Sequence, residues 1–112
     1  MNNIETNALR IAELLGYKKV LDMYCKNGQS FHEHKIETFS SYNGLMPIVF
    51  ECEMSEDHSI TITSSSVHIS ELHTSKPMSK RNSSYAIKNT KESFIEAIQL
   101  ACIKYLELKN EH

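Results

Sequence analysis

The sequence predicts an α+β domain in which a small, mainly antiparallel three-stranded sheet carries packed helices, in the order α-β-α-β-β-α. Three observations lead there. Apolar residues recur at spacings of three and four in 4–15, and again in 94–108, which marks one face of a helix. Between them Ile60, Ile62, Val67 and Ile69 alternate with polar residues, the period of a strand with one buried face. At 112 residues the chain forms a single domain, 1–112. A chain of this size buries roughly two-thirds of the surface its unfolded form exposes, so folding requires neither a metal nor a disulfide.

In the first helix Ile4, Ala8, Ile11 and Leu15 make the apolar stripe, widened by Ala12 and Leu14. Asn2 with Glu5 three residues on resembles a capping box, and Gly16 is placed to end the helix in the left-handed conformation. Tyr17 to Met23 fits a strand or a short helical turn, and Asn27-Gly28 marks a turn. His32 to Phe39 reads as a strand, with His34, Ile36 and Thr38 on one face. Ser40-Ser41 offers an N-cap to a second helix through Leu45, Ile48, Val49 and Cys52. Pro47 falls early in its second turn, where it predicts a local kink rather than a break.

The hairpin of 60–63 and 67–70 turns at Ser64-Ser65-Ser66, without the glycine-containing pair that such tips favour. His73 to Asn89 reads as a flexible basic loop, 73–89, within the domain. The closing helix is the clearest element. Asn89 with Glu92 suggests its capping box, and Phe94, Ile98, Ala101, Tyr105 and Leu108 form its stripe, broadened by Ile95, Ala97, Cys102 and Leu106.

Composition narrows the function. Hydrophobic residues at 40% and charged residues at 23% are ordinary globular usage, which argues against disorder. A net charge of −2 means that any contact with a polyanion must use a local patch. Cys25, Cys52 and Cys102 form no CxxC pair and read as reduced thiols of a cytoplasmic protein. The N-terminus has no secretory pattern, and the apolar stretch from Leu45 to Phe50 is far too short to cross a bilayer.

Candidates for chemistry are sparse. His32 and His34 share one side of the expected strand, and His68 or His73 would be the residues to join them. No carboxylate or cysteine at a suitable spacing completes a site, so the expectation is surface histidines, no metal and no cofactor. Cys52 and Cys102 fall on apolar faces late in their helices, where the dipole disfavours a thiolate. Glu51, Glu53, Glu56 and Asp57 crowd a helix end and read as a solvated face. With glycines at 16, 28 and 44 alone, no phosphate-binding glycine loop can form. The chain is therefore not expected to be an enzyme.

The charge distribution is more telling. Between Glu71 and Glu92 there is no acid, whereas Lys76, Lys80, Arg81, Lys88 and Lys91 fall there, with Tyr85 among them. Such a segment can neutralise phosphates and stack on a base, or dock on an acidic protein surface; these six residues are the candidate partner contacts.

Two stretches carry a family resemblance. Asn7-Ala8-Leu9-Arg10-Ile11-Ala12-Glu13-Leu14-Leu15-Gly16-Tyr17 resembles the N-terminal helix of the phage ABA-sandwich domain family, and Ser41-Tyr42-Asn43-Gly44-Leu45-Met46-Pro47-Ile48-Val49 resembles that family's Ser-aromatic-x-x-Leu-Met-Pro-Val-Val helix start. The resemblance implies a layered helix–sheet–helix domain encoded by phages or prophages, and no reaction. With the basic segment it leads to the expectation of a non-catalytic accessory protein, a stoichiometric inhibitor of a bacterial anti-phage defence complex. Such an inhibitor would contact a host protein or a ribonucleoprotein and its guide RNA in the bacterial cytoplasm. The alternative is a self-associating structural or regulatory phage module, a C₂ homodimer that protects open strand edges.

Overall fold

The two helical stripes read from the sequence are packed against each other. In the computed structural model, which describes residues 3–21, 23–26, 29–32, 38–55, 58–71 and 83–110, helix α1 is Asn3–Leu14 and helix α3 is Lys91–Asn110. α1 buries Ala8, Ile11 and Ala12. α3 buries Ile95, Ala97, Ile98, Ala101, Cys102, Tyr105, Leu106 and Leu108, because α1 lies on one side of it and a sheet on the other. Each fully buried aliphatic side chain contributes about 2 kcal/mol, so this pairing is the centre of the core.

That sheet is an antiparallel meander of β4 (His58–Ile62), β5 (Ser66–Glu71) and β6 (Ser83–Ala86). Its register sets Ile60 opposite Ile69 and Ile62 opposite Val67, with Val67 also opposite Tyr85, so one face is apolar and meets α3. The other face carries Ser59, Thr61, His68, Ser70, Ser84 and Ala86, of which Thr61, Ser84 and Ala86 are exposed. Among the described residues α3 lies between α1 and this sheet.

Helix α2 (Tyr42–Met54) packs beside α3 and against β4. Ser41 is its cap: extended at φ −132°, its hydroxyl accepts the Gly44 N–H at 3.2 Å. The helix continues through Pro47 without a break.

The α+β class and the segment order α-β-α-β-β-α are as the sequence predicts, with three differences. From the segment 17–23, which fits a strand or a short helical turn, onward the chain forms a second antiparallel sheet of β1 (Lys18–Val20), β2 (Met23–Lys26) and β3 (Gln29–His32). The strand expected at His32–Phe39 falls mostly on 33–37, outside the described residues. Thr38–Ser40 is a 3₁₀ turn, drawn inward because Phe39 is buried with its ring edge-on to Tyr17. The second difference is that the expected loop over 73–89 contains β6. Pairing with β5 and the packing of Tyr85 outweigh that segment's low apolar content. Thirdly, the cap of α3 is Thr90 rather than Asn89. Its hydroxyl accepts the Ser93 N–H at 3.0 Å, while the Ser93 hydroxyl accepts the Lys88 N–H at 2.8 Å. The Asn2 cap, the Asn27-Gly28 turn, 33–37, Glu56, Asp57 and 72–82 lie outside the described residues.

The hairpin tip without glycine has a simple explanation. Neither Ser64 nor Ser65 takes a positive φ; instead the Thr63 hydroxyl accepts the Ser66 N–H at 3.1 Å, and the Thr63 N–H donates to the Ser66 carbonyl at 2.9 Å. The β1–β2 tip does use a left-handed residue, Leu21 at φ 60°.

The last carbonyls of α1 are each accounted for. Gly16 at φ 98° closes a Schellman motif, in which the Tyr17 N–H bonds the Ala12 carbonyl and the Gly16 N–H bonds that of Glu13. Asn110 Nδ2 donates to the Leu14 carbonyl at 3.2 Å, and the Lys26 ammonium to that of Leu15 at 2.5 Å. Lys26 thereby places a cation at the negative end of the helix and over the Tyr17 ring, 5.7 Å from its centroid, tying the small sheet to α1.

One polar side chain lies inside this core. Gln99 is fully buried, and its Nε2 donates to the Phe39 carbonyl at 2.6 Å and the Ile4 carbonyl at 3.0 Å. Its Oε1 accepts from Asn7 Nδ2 at 3.4 Å. Replacing Gln99 with Met should cost about 2 kcal/mol in urea denaturation, because the Phe39 carbonyl loses its donor. Gln99→Glu should cost more near neutral pH, since a carboxylate would face two carbonyls. Gly44 offers a second check: a Cβ there would overlap the Thr38 carbonyl. Gly44→Ala should lower the unfolding free energy by about 3 kcal/mol, and a loss below about 0.5 kcal/mol would contradict the close approach.

Candidate binding groove

The chain leaves β6, turns through Ile87–Thr90, and returns as α3 alongside the strand it has just left. Between the two lies an open groove of about 520 Å³, lined on one side by Ser84, Tyr85, Ala86 and Lys88 and on the other by Glu92, Ser93, Glu96 and Leu100. Tyr85 is half-buried, its ring body packed on the core. Glu92 and Glu96 lie one turn apart on α3, and neither makes an ion pair among the described residues. Like charges at this spacing repel by a few tenths of a kcal/mol, a cost that a cation in the groove would remove.

Of the six contact residues expected from sequence, the structure brings Tyr85 and Lys88 together in this groove. Lys91 is exposed at the first position of α3 and does not line it. Lys76, Lys80 and Arg81 lie outside the described residues. What the sequence reading missed is the opposite wall. It ended the basic segment where the acids resume, at Glu92, which it read as part of a capping box, and it did not single out Glu96. The short turn after β6 was the available signal, since it obliges the following helix to lie beside the strand.

A second surface stands out. Phe50 is 68% and Met54 80% exposed, one helical turn apart on the outer side of α2. The two carboxylates of that helix are engaged within the chain: Glu51 pairs with Lys109 at 2.6 Å, and Glu53 accepts from the Ile60 N–H and the Ser59 hydroxyl.

The remaining chemical candidates are held in the structure of the fold. His68 Nε2 lies 2.7 Å from the Ser66 hydroxyl. His58, which the sequence reading passed over, is buried with its ring edge-on to Tyr105 and its Nε2 without a hydrogen-bond partner. His34 and His73 lie outside the described residues, and among those described no group of three or more His, Cys, Asp or Glu is arranged to hold a metal. No helix among the described residues is long and apolar enough to cross a membrane.

Cys52 and Cys102 are both fully enclosed, and their thiols are pushed up to about 12. Burial is the main cause for each. Glu53 and Glu51 add to it at Cys52, and Cys52 itself adds to it at Cys102. Neither is a nucleophile at neutral pH.

Comparison with known proteins returns no significant match to any family model, curated protein or solved structure. The resemblance to phage ABA-sandwich domains rests on residues 7–17 and 41–49 and on the position of the closing helix.

The thiols set a measurable pH dependence. Unfolding returns them to an ordinary value near 9.0, so the unfolded chain loses these protons first. Their contribution to stability is complete below pH 9 and falls as pH rises toward 12, by roughly 1 kcal/mol per pH unit for each thiol. At pH 8, iodoacetamide should leave Cys52 and Cys102 unmodified in the folded protein and alkylate both in denaturant. Mass spectrometry showing either one modified at the rate of the denatured chain would refute the enclosed placement.

Proposed function

We propose that this chain is a non-catalytic binding module that recognises a protein partner through the groove between β6 and α3. The observation that carries the reading is the composition of that groove. Tyr85, Ser84, Lys88, Glu92 and Glu96 converge on an open cleft, and their side chains have no hydrogen-bond or ion-pair partner among the described residues. An aromatic body flanked by charges of both signs suits a protein surface. A phosphate backbone fits it poorly, because Glu92 and Glu96 would repel the anion that Lys88 attracts.

The narrower form of the proposal is stoichiometric inhibition of a bacterial anti-phage defence complex, and the resemblance to phage domains supports it. Self-association is the second reading, and the exposed Phe50 and Met54 favour it. Affinity purification of the tagged chain from bacterial lysate, with and without nuclease, separates these. A protein partner retained after nuclease treatment is the expected result, and a component of a defence complex would extend it to the narrower form. Capture of nucleic acid alone, or of untagged copies of the chain alone, would overturn it.

A further inference from the structure

The sheet treats its two edges differently. On the β4 side the phase of the ladder, fixed by the bond from the Thr63 N–H to the Ser66 carbonyl, directs the Ile60 N–H outward. That donor is already taken, because the Glu53 carboxylate of α2 accepts it at 2.8 Å. On the β6 side the Ile87 N–H bonds the Ser65 carbonyl at 2.8 Å, so residues 83, 85 and 87 face β5 while Ser84 and Ala86 direct their N–H and C=O groups away from it. Nothing among the described residues pairs with those groups. β6 also has neither proline nor charge along Ser83–Ala86, the usual means of closing an edge.

Ser84 and Ala86 are also residues that line the groove. From this coincidence we infer that the groove takes an extended segment of the partner protein as a fourth strand beside β6, with a lysine or arginine of that segment between Glu92 and Glu96. The inference rests on the protein-binding reading above and specifies its mode. Main-chain bonds to Ser84 and Ala86 supply attachment, and the carboxylates select for a cation. A second copy of the chain is the poorer occupant. Its pairing would set the four carboxylates of two grooves against two lysines, and a four-residue edge covers far less than the ~800 Å² per partner of a standard stable interface.

The test uses the full chain and an array of capped hexapeptides with alternating apolar and variable positions, the latter occupied by Lys, Arg, Ser or Glu. The expected result is binding by Lys- or Arg-bearing members, with the amide resonances of Ser84 and Ala86 shifted more than those of Ser83 and Tyr85. Ala86→Pro removes an outward N–H and leaves the β5 ladder whole; it should weaken binding at least tenfold with an unchanged circular dichroism spectrum. Should that variant misfold, the surface pair Glu92→Lys and Glu96→Lys decides instead, by switching preference to Glu-bearing peptides. Strand addition is overturned if no array member binds, if Ala86→Pro in its folded form binds as tightly as the parent, or if the charge-reversed pair keeps the original preference. A folded Ala86→Pro chain that still captures the same lysate protein would sink the groove mode alone. A parent chain that captures no protein would sink the broader reading.

Discussion

The amide of Gln99 is the constraint on which the arrangement of segments depends. It reaches the Ile4 carbonyl, 95 residues away, and the Phe39 carbonyl, 60 residues away, from the buried side of the central helix. Apolar packing of α1 on α3 tolerates some sliding, since aliphatic contacts have little directional preference. A primary amide between two carbonyls does not. Its two N–H groups fix the height of α1 along α3 and the position of the 3₁₀ turn against both. The turn in turn places the Thr38 carbonyl against Gly44, and so sets where α2 begins.

From that fixed centre the charges are used economically. The carboxylates of α2 and the ammonium of Lys26 each join elements: Glu53 to β4, Glu51 to the end of α3, and Lys26 to the Leu15 carbonyl just past α1. The carboxylates of the first half of α3 join nothing among the described residues, and they stand next to the β6 edge, whose outward main-chain groups nothing among the described residues pairs with. The contrast between committed and uncommitted groups separates structure from candidate site more sharply than net charge does.

The fold was legible wherever burial imposes a period. Ile4 to Leu15, Ile60 to Ile69 and Phe94 to Leu108 each announce their element, and Gly16 and Ser41 mark helix ends because their conformations or side chains are required there. The reading failed where a long-range contact overrides local preference. Phe39 belongs to a turn because the core takes its ring and Gln99 takes its carbonyl. β6 forms from Ser83-Ser84-Tyr85-Ala86, which has little strand character, because β5 offers an unpaired edge. Gln99 itself reads as a polar interruption of an apolar stripe. The groove was half legible: Tyr85 and Lys88 came from the basic run, whereas its acidic wall depends on the direction of a turn that local composition does not set.

The pairing of α1 with α3 has a consequence for synthesis. The partners of Ile11 and its neighbours are near the other end of the chain, and the Ile4–Gln99 bond spans 95 residues. At translation rates of roughly 5–20 residues per second, the apolar stripe of α1 stays uncovered for about 5–20 s after it emerges. During that interval the nascent chain offers a chaperone a ready hydrophobic ligand, and crowded ribosomes a route to aggregation. Closure of the core therefore waits until α3 has emerged, and slow codons ahead of α3 would lengthen the exposure rather than assist folding.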